Sequence, residues 1–191
     1  GLVLGIALLS CGCQQIDAPS DRADSRNVGA ISPQRIKAIA CADSLEKTRV
    51  STLELNLREF DQNPSGGWRT LYNENCFVEA AELIDAYIEK HKLFNNTQLY
   101  FHAGQLFALA GDKASAIVKL RRSLLPASVR SGSFLWNDYV LGTIAFLERD
   151  KAALQSHLEV LKAKQGVNVP NIRVLQLLAD RFDMPYGDAI K

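Results

Sequence analysis

An all-α fold is what the sequence predicts, on three observations. Apolar residues recur every three to four positions through most of the chain from residue 32 onward. No segment sustains the one-in-two alternation of a half-buried strand. The breaks between periodic runs are short and carry Gly, Pro, Asn or Asp, so neighbouring helices are expected to pair as antiparallel hairpins. At 191 residues the chain suits one domain, or one domain with a tail. With 47% apolar and 23% charged residues and a formal charge of +1, it has no overall field to draw it onto nucleic acid, and no nucleic-acid partner is expected.

Residues 1–9 are apolar or Gly and uncharged. They are too few to span a bilayer, which takes about 20, and they suit the apolar region of a secretory leader. The only methionine is Met184, so a charged segment is expected to precede Gly1. Leu8-Leu9-Ser10-Cys11 resembles the lipobox of bacterial lipoproteins. That resemblance implies cleavage before Cys11 and a diacylglyceryl group on its thiol. With Gly12 rather than Asp next, it also implies sorting to the outer membrane, in contact with the membrane through the lipid alone. A plain leader cut nearby and a buried amino-terminal helix remain the alternatives. Residues 14–30 are polar, lack aromatics and are interrupted by Pro and Gly, the composition of a tether. The expected organisation is therefore leader and lipobox over 1–11, disordered tether over 12–31 and helical domain over 32–191.

Ser32-Pro33 reads as an N-cap followed by Pro at the first helical position, with Ile36, Ile39 and Ala40 then sharing one face. A second run carries Val50, Leu53, Leu57 and Phe60 until Pro64-Ser65-Gly66-Gly67 stops it. A helical turn around Trp68–Tyr72 leads into FVEAAELIDAYIEKH, where Ala80, Leu83, Ile84, Tyr87 and Ile88 face inward and Glu79, Glu82 and Glu89 outward. Further helices are expected near 97–110, 112–125, 133–148, 150–164 and 171–182.

Residues 99–126 hold the strongest internal pattern. Tyr100, Ala103, Gly104 and Phe107 are followed by the turn Gly111-Asp112, then by Ala116, Leu120 and Pro126. A mid-helix Gly costs about 1 kcal/mol against Ala, so Gly104 implies a closely approaching partner helix. The spacing resembles a tetratricopeptide repeat. Residues 136–163 resemble a weaker copy, with Leu141-Gly142 as the small element and Arg149-Asp150 at the turn. Gly142 follows Gly104 by 38 residues, the excess over the repeat unit falling in Pro126–Ser133. Asp138 and Ala145 stand where the family places aromatics. Residues 68–91 resemble a shortened third copy, and 171–182 a capping helix. The resemblance spans about 120 residues and implies a short tetratricopeptide-like α-solenoid of antiparallel helix pairs with a C-terminal capping helix. The whole is also similar to exported bacterial proteins with degenerate repeats, a similarity that brings no activity with it.

Such stacks bind peptides or partner proteins in a concave groove. In this register the groove-facing residues are Gln98, Phe101, Gln105 and Ala108, then Trp136, Tyr139, Thr143 and Phe146. Aromatics of this kind anchor interfaces, although in so short a stack they also suit plain core packing. The carboxylate-clamp set of the family is not supplied by Phe101, His102 and Gln105. The resemblance thus implies a non-enzymatic adaptor of the bacterial envelope, lipid-anchored in the periplasm, whose partner is an envelope protein or peptide. The alternative is an envelope enzyme on a helical scaffold, acting for instance on peptidoglycan, with Glu74 or Asp138 as the carboxylate.

Cys41 and Cys76 are candidates for a disulfide in an oxidising compartment, against two buried reduced thiols, with Cys13 left over. Lys113, Lys119, Arg121, Arg122 and Arg130 form a basic run that suits a solvated helix face. His91, His102 and His157 lack metal-site spacing, and neither metal nor cofactor is expected. Asn95-Asn96-Thr97 reads as a loop and helix cap.

Overall fold

Pro33–Leu53 winds as one helix, α1, where the sequence suggests two runs. No Gly or Pro follows Pro33 within it, so nothing breaks the hydrogen-bond ladder. The computed structural model describes residues 31–126, 129, 134–164 and 166–191. The leader, the tether up to residue 30, Cys11, Cys13 and Arg130 lie outside the described residues. The described helices are α-helical apart from 3-10 turns at Val129 and at Gly166–Asn168, and there is no strand among the described residues. None of these helices is long and apolar enough to cross a membrane.

The helix α1 packs chiefly against α4 (Phe77–His91) and α3 (Arg69–Asn73). The face of Ile36, Ile39 and Ala40 is consequently turned to solvent, and Val50 is 75% exposed. Cys41 and Thr52 are the buried residues of α1, and Cys41 is bonded to Cys76 across a Cα–Cα distance of 5.3 Å.

Between them, α2 (Leu57–Gln62) is capped by Asn56, whose Oδ1 accepts from the Glu59 amide at 3.0 Å while its Nδ2 donates to the Glu59 carboxylate at 2.8 Å. It buries Phe60, stacked on Tyr87 with ring centroids 3.6 Å apart. The chain then reverses at Gly67, where φ is +57° and a Cβ would lie 1.9 Å from the Phe60 carbonyl oxygen. No side chain fits there, and the turn lays Trp68 back over α2.

Five helices continue the chain: α5 (Thr97–Leu109), α6 (Lys113–Arg122), α7 (Trp136–Glu148), α8 (Lys151–Ala163) and α9 (Val169–Asp180). Each packs on the next, most extensively α5 on α6 and α7 on α8, and α9 reaches back to α7. The capping is local and readable: Asn96, Asp112 and Asp150 accept from backbone amides three residues on, at 3.0, 3.0 and 2.9 Å. Gly111 (φ +83°) and Arg149 (φ +64°) make the left-handed turns. One apolar cluster runs through the whole described domain, from Cys41 to Ala189.

A Cβ on Gly104 would lie 2.7 Å from Leu120 Cγ and 3.1 Å from the Leu120 backbone nitrogen, so α6 does approach α5 closely at this residue. Gly142 differs. Its nearest neighbour is Leu175 Cδ1 of α9, at 2.5 Å, ahead of His157 of α8. Substituting Gly104→Val is expected to destabilise the domain by about 2 kcal/mol, since Leu120 is fully buried and can yield only by separating the helices. Urea unfolding of the two chains checks this.

The last helix, α10 (Tyr186–Ala189), has no counterpart in the sequence reading. It packs against α5 as well as α9, so the chain beyond α9 folds back across the helices it follows.

Candidate functional site

Between α5 and α7 lies a groove of about 500 Å3 lined by Gln98, Phe101, His102 and Gln105 on one side and Phe134, Trp136, Tyr139 and Asn171 on the other. Its position follows from the α6–α7 connection. Asn137 accepts from the Leu125 amide at 2.8 Å and donates to the Leu125 carbonyl at 3.0 Å, while Trp136 Nε1 donates to the Ser123 carbonyl at 2.7 Å. These bonds fix the start of α7 and the plane of its indole. Phe101 then meets Trp136 at 4.8 Å and Tyr139 at 5.3 Å between centroids, and Phe134 meets Trp136 at 6.1 Å. Phe134 is 48% exposed, whereas Phe101 and Tyr139 show only edges. Asn171 Nδ2 is buried without a hydrogen-bond partner among the described residues, an amide donor that a ligand carbonyl would satisfy.

The structure thus brings Phe101, Gln105, Trp136 and Tyr139 to one groove, but not Thr143 or Phe146. Thr143 is fully buried and its hydroxyl donates to the Tyr139 carbonyl at 3.0 Å. Phe146 is covered by the returning C-terminal segment, meeting Phe182 at 5.8 Å and Tyr186 at 6.1 Å. Arg149 holds that segment by donating to the carbonyls of Phe182 and Asp183. The expected stripe is therefore not one continuous groove: Ala108 and Phe146 border a separate space of about 430 Å3 beside the C-terminal segment.

Beneath the groove is a buried polar cluster that periodicity does not reveal. Asp61, 4% exposed, accepts from Trp68 Nε1 at 3.0 Å, from Gln62 and, at 2.8 Å, pairs with His102 Nδ1. Burial alone would raise the Asp61 carboxyl. The hydrogen bond and charge of His102, with the bonds from Trp68 and Gln62, outweigh it and hold the group below its ordinary value. Burial pushes the Tyr139 hydroxyl well up and that of Tyr186 to about 12, the latter against a hydrogen bond from Gln105 at 3.5 Å. Both phenols are protonated donors at neutral pH.

Neither carboxylate suggested for catalysis stands isolated in a deep cleft. Glu74 is exposed and accepts from Ser44 Oγ at 2.6 Å, and Asp138 pairs with His157 Nδ1 at 3.0 Å beside a space of about 40 Å3. The basic run is dispersed: Lys119 pairs with Asp85, Arg121 with Glu148, and Arg122 lies over the Tyr100 ring. His91 bonds the Leu53 carbonyl at 2.9 Å. Glu79 lies within 4.8 Å of the sulfurs of Cys41 and Cys76, but disulfide sulfurs are not thiolate ligands. No protein-family model, curated protein or solved structure matches the chain.

Proposed function

We propose that this protein is a non-enzymatic adaptor whose α5/α7 groove binds a peptide segment of an envelope protein. The observation that carries the reading is the composition of that groove: an aromatic wall, three amide side chains (Gln98, Gln105 and Asn171) and, among the described residues, no acidic or Lys/Arg side chain. Aromatic edges bury the apolar parts of a peptide, and amides meet its backbone groups in both directions. The close fit of Gly104 against Leu120 supports reading α5 with α6 as a degenerate tetratricopeptide pair, and the extensive packing of α7 on α8 supports a second, more divergent pair in a short solenoid capped by α9, in which Gly142 faces the cap first. In that reading Cys11 carries the lipid, and the tether holds the domain in the periplasm at the outer membrane.

The test is selection of binders from a displayed peptide library, followed by affinity measurement on variants. Gln98→Ala combined with Phe134→Ala is expected to weaken selected peptides by about 10-fold or more, because both side chains are exposed and the fold does not depend on them. Undiminished binding would remove the groove from the account.

A further inference from the structure

His102 and Gln105 wall the groove on one side and a second compartment on the other. This second space, about 290 Å3, is closed by Trp68, Arg69 and Tyr72, by Leu106 and Leu109 of α5, and by Tyr186 and Ile190 at the C-terminal end. Among the described residues no acidic side chain lines it. Its polar groups are a guanidinium, an amide, an imidazole and two phenols.

Arg69 is the informative residue. One Nη donates to the Asp61 backbone carbonyl, and the guanidinium lies 4.1 Å from the centroid of the Trp68 ring. Among the described residues no carboxylate stands within ion-pair distance of it. The carboxylate of Asp61 is nearby but committed to Trp68, His102 and Gln62. Burial draws the Arg69 value below its ordinary level, with the Asp61 charge opposing, as expected of a cation that has lost water without gaining a full replacement. Stacking holds the guanidinium flat, and a flat fork of N–H donors matches a carboxylate in two parallel hydrogen bonds. Leu106, Leu109 and Ile190 provide an apolar wall beside it.

We propose that this compartment is an anion site that takes a carboxylate on an apolar stem, the carboxylate on Arg69 and the stem against Leu106, Leu109 and Ile190. The chemistry is the same for a free monocarboxylic acid and for an acidic side chain within a bound peptide.

The chain has two tryptophans, so each compartment has its own indole N–H resonance: Trp68 beside Arg69, and Trp136 in the groove. The probes, added to the full chain, are 3-phenylpropanoate, its neutral amide, and a short peptide blocked at both ends with one internal glutamate. The expected result is a saturable shift of the Trp68 signal with a carboxylate probe and none with the amide. Arg69→Gln is expected to weaken that response about 10-fold or more, and Arg69→Lys, which keeps charge without the fork, by less. A response to phenylpropanoate alone assigns a free acid as the source, and a response to the blocked peptide assigns a side chain. Equal shifts from acid and amide, no Trp68 shift at all, or wild-type affinity in Arg69→Gln would overturn the site. A Trp136 shift without a Trp68 shift overturns it while leaving the groove reading intact.

Discussion

Replacing Cys41 and Cys76 with alanine is expected to cost the domain about 4 kcal/mol, the chain-entropy value for a loop closed by residues 35 apart in sequence. The bond matters more than its loop length suggests. The α1 helix turns Ile36, Ile39 and Val50 to solvent and is held to the rest of the domain chiefly through α3 and α4. Without the disulfide, α1 keeps little apolar burial to offset the entropy of ordering 21 residues. Urea unfolding with and without dithiothreitol is the measurement. The wild-type midpoint should fall to that of the double variant on reduction, and the variant should not respond. An unchanged wild-type midpoint would mean that the α1 contacts suffice.

Asp61→Ala is the second large effect, about 3–5 kcal/mol, because it leaves the buried Trp68 indole N–H and the half-buried His102 imidazole without their shared acceptor. Asp61→Asn, which keeps one acceptor oxygen, should cost less. The pH dependence follows from the sign of the shift. A carboxyl held below its ordinary value of 3.8 contributes stability that is fully present above that value and is lost as pH falls through the lower folded-state value. Wild-type stability should therefore drop on acidification below about pH 4, and Asp61→Asn should flatten that limb. Parallel slopes in the two chains would show that other carboxyls control acid unfolding.

Local signals made most of the fold legible. The inward residues Ala80, Leu83, Ile84, Tyr87 and Ile88 of α4 are all buried, and the caps Asn96, Asp112 and Asp150 sit where the sequence places helix starts. Gly104 announced a close approach that Leu120 supplies. What the sequence concealed is long-range. His102 meets Asp61 across 41 residues, and no period links them. The register of α7 places Phe146 on an open face, and nothing in α7 reports that Phe182 and Tyr186 return to cover it. The four-residue α10 is too short to carry a period. Ile36 and Ile39 share a face as expected, yet periodicity does not say whether another helix lies against that face.

The direct test of the account is where a selected peptide binds, read from amide and side-chain resonances of the full chain as the peptide is added. Perturbations are expected to gather on the Trp136 indole and the Gln98 and Gln105 side-chain amides. Perturbations gathered instead on the exposed face of α1, around Ile36, Ile39 and Val50, would contradict it and move the interaction surface to the opposite end of the described chain.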